Sequence, residues 1–274
     1  MKKLNKIGAV LMLSLISALS LTGCKADNGT KSITELKAQN KDGITTIYFK
    51  DMVSMDAIRK LDGQKVKVVG FMAQTTPLDG SLTYLMNLPY QNCAFCVPNS
   101  DILGNTIAVF PKEGSSFKFT ELPVSATGVL KVEDYTDSSG YSYPFRLVDS
   151  KLEVAEDGDL PENAVIFKTI VDKGFLIDYS DLLGTLDTVT LNGDTSESAK
   201  ISNDIMDKLY NHLEEYKYTK EVESLYTTLE KTQDLIDNIN KAIDNKDSAS
   251  LTSYNTDVYA IFSQINEWLL SVEI

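Results

Sequence analysis

The chain is poor in the residues on which most enzyme chemistry depends. It has one histidine, one tryptophan and three cysteines in 274 residues. Any histidine-dependent catalysis would have to run through His212 alone, and general acid/base work needs a positioned partner and a substrate pocket as well. No phosphate loop, dinucleotide-binding glycine fingerprint or GxSxG elbow occurs, so nucleotide-enzyme and serine-hydrolase readings are weak. Beyond Cys24 no stretch is long and apolar enough to cross a bilayer. Basic side chains are scarce in the second half. Segment 24–155 carries 14 basic and 15 acidic residues, whereas 156–274 carries 9 and 24, a net charge of -15. Nucleic acid and anionic lipid surfaces are therefore excluded as expected partners of that half.

What is present begins with MKKLNKIGAVLMLSLISALSLTGC: three lysines, an apolar stretch from Ile7 to Leu21, then small residues before a cysteine. This is the layout of a secretory signal, and its removal is expected. Leu21, Thr22, Gly23 and Cys24 resemble the lipobox of bacterial lipoproteins. The resemblance implies cleavage before Cys24 and a diacylglyceryl group on its thiol. Two acyl chains supply durable anchoring where one would not, since each buried methylene contributes about 0.8 kcal/mol. The expected location is extracytoplasmic, held at the cell membrane by lipid.

At 43% hydrophobic and 24% charged, the rest has the composition of a globular protein. Residues 1–23 read as signal peptide and 24–43 as a polar tether, whose roughly 18 flexible residues reach about 25 Å. From Ile44 the pattern becomes that of strands and one short helix. Met52, Met55, Ile58 and Leu61 recur at helical spacing, and Asp62-Gly63 ends the helix. Val66 and Val68 then alternate with Lys65 and Lys67, and β-rich runs follow at 82–88, 106–110, 124–132 and 143–154. Turn signals at Asp79-Gly80, Gly104-Asn105 and Ser139-Gly140 separate them. Five strands with a short helix predict a small closed barrel over 44–155.

The runs LDGQKVKVVGFM, NLPYQNCAFCVPN, VSATGVLKVEDY and YSYPFRLVDSKLEV resemble a group of uncharacterised secreted bacterial proteins with an oligonucleotide/oligosaccharide-binding (OB)-like barrel. The resemblance spans Asp56 to about Val154. It implies a polar, cysteine-bearing loop after the second strand, which here holds Cys93, Cys96, Pro98 and Asn99 but no histidine. It carries over no activity.

Residues 156–200 read as a connecting segment whose two apolar runs, 164–171 and 175–186, admit strand or helix: an extension of the barrel, or a docking hairpin and helix. Beyond Ser202 the period is helical. Ile205, Leu209, His212 or Leu213, and Tyr216 form one stripe. Val222, Leu225, Leu229, Thr232, Ile236, Ile239 and Ile243 form a second, and Leu251, Tyr254, Val258, Ile261, Ile265, Trp268 and Val272 a third. Such seams predict an antiparallel helical bundle or hairpin over 201–274. The expected fold class is thus α+β: a five-stranded OB-like barrel followed by helices.

Cys93 and Cys96 form a CxxC pair with three readings. A disulfide is the plain one in an oxidising compartment. A bound metal ion is the second: two thiolates are half of a zinc shell but can hold a soft ion such as Cu(I). The third, thiol exchange, lacks the helix N-terminus that would lower a thiol pKa, because Pro98 interrupts. Beyond that possible metal, no cofactor is implied. His212 reads as a seam or boundary residue. Tyr84, Tyr90, Phe95, Tyr135, Tyr141, Tyr143 and Phe145 gather near one barrel surface, where aromatics stack on bases or sugars; core and turn packing is the plainer reading. Tyr90, Phe95, Asn99, Tyr135 and Tyr141 are the binding-surface candidates. The acidic run from Glu133 to Gly140 lacks calcium-loop spacing and reads as a hairpin turn. The combination predicts a membrane-anchored, non-enzymatic binding or accessory protein with a protein partner on its acidic bundle, with metal trafficking or thiol exchange as the alternative.

Overall fold

The structure is a computed structural model that describes residues 43–51, 53–74, 77–89, 106–136, 140 and 142–274. Cys24, Tyr90, Cys93, Phe95, Cys96, Asn99 and Tyr141 lie outside the described residues.

Alternation of side chains builds the barrel. In β2 (Lys65–Met72) the inward residues Val66 and Val68 are fully buried, and the outward Lys65 and Lys67 reach solvent or a carboxylate. β2 pairs antiparallel with β3 (Thr83–Met86), and β3 with β4 (Thr106–Pro111). β4 then runs parallel to β8 (Arg146–Val154), which pairs antiparallel with β5 (Val124–Lys131), and β5 returns to β2. The order β2-β3-β4-β8-β5-β2 closes a five-stranded barrel with one parallel junction, the OB-like arrangement that the strand spacing predicts. β1 (Thr45–Tyr48) adds a parallel edge to β2.

One end of the barrel interior is filled by α1 (Met55–Lys60). The Ser54 hydroxyl accepts from the Ala57 amide at 3.3 Å and caps its start, and Gly63, at φ +70°, turns the chain after it. Ala57, Ile58 and Leu61 thereby join Val66, Val68, Leu85, Ile107, Val109 and Leu147 in one apolar core. Gly70 is where β2 has no room for a side chain: a Cβ there would lie 2.8 Å from both the Met86 carbonyl oxygen and the Phe49 ring.

Six helices follow: α2 (Glu162–Asp172), α3 (Phe175–Asn192), α4 (Asp204–Leu213), α5 (Glu223–Asp244), α6 (Ser248–Ser253) and α7 (Asn255–Leu270). The two apolar runs that admitted strand or helix are helical, as α2 and α3. The helical region is therefore larger than the three late stripes imply, because those stripes need more apolar surface to bury against than they offer one another. Leu213, not His212, completes the first stripe; it is fully buried.

The helices share a core with the outer face of β2. Val69 and Phe71 point away from the barrel interior into the helical cluster, and Phe71 meets Phe167 of α2 edge-on with centroids 5.3 Å apart. Phe167 in turn lies 5.8 Å from the ring of Trp268 on α7. Burying a ring of this kind is worth about 1.5–3 kcal/mol. Polar ties flank the contact: Lys67 to Asp159 at 2.9 Å, and Lys168 donating to the Ala155 carbonyl at 2.7 Å. After α7 the chain returns to the barrel. The Ile274 amide donates to the Asn87 carbonyl, and its carbonyl oxygen accepts from the Lys50 amide.

Candidate functional site

The second face of the barrel, on β3 and β4, carries an aromatic cluster. The β3–β4 register puts Leu85, Ile107 and Val109 inside, so Tyr84, Met86, Ala108 and Phe110 face outward. A short hairpin of β6 (Tyr135–Thr136) and β7 (Ser142–Tyr143) comes from the acidic run between β5 and β8. Its cross-strand pair Tyr135–Tyr143 stacks with centroids 6.4 Å apart, and both rings meet Phe110 edge-on at 5.6 and 6.2 Å. Tyr84 and Tyr143 share a hydroxyl–hydroxyl hydrogen bond. Edge and offset contacts of this kind each add about 0.5–1.5 kcal/mol beyond area burial.

Arg146, at the start of β8, locks the hairpin. Its guanidinium carbon sits 3.9 Å from the centre of the Tyr135 ring, and Nη2 donates to Glu133 Oε1 at 2.9 Å. Nη1 is buried and has no hydrogen-bond partner among the described residues. Arg146 is nearly covered at 11% side-chain exposure, whereas Glu133 is 61% exposed. The result is a half-buried platform of Phe110, Tyr135 and Tyr143 beside which the Arg146 cation is already paired. Such a surface offers partly exposed aromatic rings, and among the described residues the cation beside them is the paired Arg146. Among the sequence candidates Tyr135 and Tyr143 are in this cluster, Tyr84 is buried beneath it, and Phe145 belongs to the barrel interior. The segment that carries Cys93 and Cys96 joins β3 to β4, the two strands under the platform. Among the described residues no group of three or more His, Cys, Asp or Glu side chains could hold a metal ion.

His212 has a partner that sequence proximity did not reveal. Glu214 and Glu215 are near it in the chain, but its Nε2 meets Asp178 Oδ2 of α3 at 2.7 Å. Lys208 Nζ takes the other oxygen at 2.6 Å, and Phe175 approaches the imidazole edge-on. Lys208 foremost, with His212, holds the Asp178 carboxyl below the usual carboxylate range against the opposing effect of desolvation. No nucleophile joins this pair in the contacts above. Its chemistry is that of a tie between α3 and α4, and the spacing of 34 residues hid it from local pattern reading.

No family model and no curated protein matches the sequence. Among solved structures, a DUF3299 family protein from Pseudomonas aeruginosa PAO1 aligns over 36% of this chain and 66% of its own, at 21% identity and a TM-score of 0.26. The chain thus spans just under two thirds of that protein's length. An overlap this loose carries no argument, and the barrel is identified here by its own strand order and register, not by that similarity.

Proposed function

We propose that the chain is an extracytoplasmic binding protein, tethered by lipid on Cys24, whose barrel takes a neutral ligand on the platform of Phe110, Tyr135 and Tyr143, while the acidic helical module offers a surface to a protein partner. The observation that carries this reading is the aromatic platform itself. It lies on the third strand of the barrel circuit and on the connection before the last, over Tyr84 of the second strand, the region where OB barrels engage oligonucleotides and oligosaccharides. Between those two ligands the charge decides. Arg146 is engaged by Glu133, and among the described residues no further cation is seen against these rings to meet phosphate. A saccharide ring, which packs against aromatic side chains and needs no cation, fits better.

Calorimetry and NMR titration of the chain from residue 24 onward would test this, with chitotetraose as the neutral probe and a thymidine oligonucleotide as the anionic one. Saturable binding of the sugar, lost in Tyr135→Ala and absent for the oligonucleotide, is the expected result. Titrations that leave the Tyr135 and Tyr143 signals unmoved by neutral sugars would overturn it. No helix among the described residues is long and apolar enough to cross a membrane. The proposed anchor is tested by mass spectrometry of the native N-terminus: an unmodified Cys24 thiol, or a retained leader, refutes it.

The competing reading, metal trafficking or thiol exchange, is favoured by the CxxC spacing of Cys93 and Cys96. It requires reduced, accessible thiols with either stoichiometric metal or a measurable reduction potential. An unreactive Cys93–Cys96 disulfide without metal eliminates it.

A further inference from the structure

The outer faces of the helices differ in kind. On α5 no large apolar side chain is exposed, as expected of a helix with one buried stripe. α3 and α7 are apolar on both sides: Ile177 and Leu191 on α3, and Tyr259, Phe262 and Leu270 on α7, are each more than half exposed. Nine exposed large apolar residues occur among the described residues, and these two helices hold five of them, so the excess is local. α3 and α7 are neighbours. Between them runs a groove of about 510 Å³ walled by Leu176, Ile177 and Leu183 on one side and by Phe262 and Leu269 on the other, with Gln74 and Glu121 contributed by connecting segments of the barrel.

Charge selects the occupant. Neither helix contains a lysine or arginine. α3 carries Asp178, Asp181 and Asp187, and α7 carries Asp257 and Glu267. Asp178 is taken up by Lys208 and His212, but the charged side chains that line the groove, Asp181 and Glu121, are both exposed acids. A second copy of this chain would bring the same acidic helices and be repelled, and an anionic lipid surface would be repelled likewise.

We propose that the α3–α7 groove docks an amphipathic helix of a partner protein that carries lysine or arginine beside its apolar face. The proposal rests on the reading of the helical module as a partner surface and names the place and the chemistry. The partner's apolar ridge fills the space between Ile177 and Phe262, as helices pack ridge into groove, and its cations meet Asp181 and Glu121.

Fluorescence anisotropy of a labelled 18-residue Leu/Lys amphipathic helix, titrated with the chain from residue 24 onward, tests this; the matched Leu/Glu helix is the control. The Leu/Lys helix should saturate at one per chain and the Leu/Glu helix should not bind. Phe262→Lys and Ile177→Lys, both at exposed positions, should each weaken binding by about tenfold or more, since each removes a large apolar contact and adds a repelling charge. Asp237→Lys, an exposed change on α5 with a larger shift in net charge, should leave affinity within about twofold. Circular dichroism checks that the variants stay folded. Equal weakening by Asp237→Lys would mean undirected charge attraction and overturn the groove while leaving a partner surface in place. No binding of the Leu/Lys helix would overturn both. A concentration-dependent dimer abolished by Phe262→Lys would give the groove to a second copy, and co-sedimentation with phosphatidylcholine vesicles abolished by the same change would give it to lipid; either result overturns the proposal. The sugar titration of the barrel is independent of all four outcomes.

Discussion

Phe167→Ala removes the ring that joins barrel to helices. Phe167 is fully buried, packed edge-on to Phe71 of β2 at 5.3 Å and tilted against Trp268 of α7 at 5.8 Å. Truncating such a phenylalanine costs about 3–5 kcal/mol, the lost transfer energy plus a cavity that two rigid elements cannot fully collapse. With a urea m-value of about 3 kcal/mol per molar for a chain of this size, the unfolding midpoint should fall by about 1–1.7 M. The sole tryptophan makes the assay direct: Trp268 is 4% exposed and touches the deleted ring, so its emission reports the site while far-UV circular dichroism reports strands and helices together. Because Val69 and Phe71 belong to the helical core, the two signals should move together in the unmodified chain. Phe167→Leu, which keeps most of the volume, should lose less than half as much. A loss below about 1 kcal/mol for Phe167→Ala, against the 3–5 expected of a closed site, would refute the shared core. Separate tryptophan and dichroism transitions in the unmodified chain would refute it as well.

Gly70→Ala places a methyl group 2.8 Å from the Met86 carbonyl and the Phe49 ring. It should destabilise the chain by about 1–3 kcal/mol in urea titration, as overpacking does, whereas Gly114→Ala, an open position, should show only its own backbone strain. Ser54→Ala removes the cap of α1 and should cost about 1 kcal/mol, recovered by Ser54→Asp. Asp178 has a folded-state pKa below its unfolded value, with Lys208 as the first cause, so its contribution is present above the unfolded pKa and is lost as pH falls through the folded one. Urea midpoints measured between about pH 2 and 6 should therefore show an acid-side decline that Asp178→Asn flattens, and a decline of unchanged steepness in that variant would count against the tie.

Much of the barrel was legible because its physics is local. Val66 and Val68 against Lys65 and Lys67 declare a strand with one wet and one dry face, and Asp62-Gly63 needs only the backbone freedom of one residue. The late helices announced themselves for the same reason: Leu225, Leu229, Ile236, Ile239 and Ile243 are all buried as their spacing requires. β1 was harder to read. Thr45 and Thr46 are buried together with Ile47, so no alternation marks the strand. α2 and α3 were ambiguous for the opposite reason, since α3 bears apolar residues on nearly every side and its run is periodic in neither sense. The candidate site was legible only in part. Tyr135 and Tyr143 were visible as aromatics of one loop, but that they meet Phe110 depends on β4 lying beside β8, and the Asp178–His212 contact depends on how α3 meets α4. These are tertiary facts with no local sequence signature.

The same tertiary facts explain why the outer face of β2 is covered by the helices. An OB barrel standing alone can expose its outer surface all round, but Val69 and Phe71 on the outer side of β2 are fully or almost fully buried, and so could not stand in water without an apolar patch. The helices cover that patch. They leave β3 and β4, on the strands next in the circuit, to be dressed by the β6–β7 hairpin instead. The hairpin is two residues per strand, too short to hold itself together, and its order comes from Phe110 beneath it and Arg146 beside it. Arg146 therefore positions Tyr135 while Glu133 meets its charge. Replacing it with lysine, which keeps the charge but not the guanidinium 3.9 Å from the Tyr135 ring centre, should broaden the Tyr135 ring signals in NMR as much as replacement with alanine does.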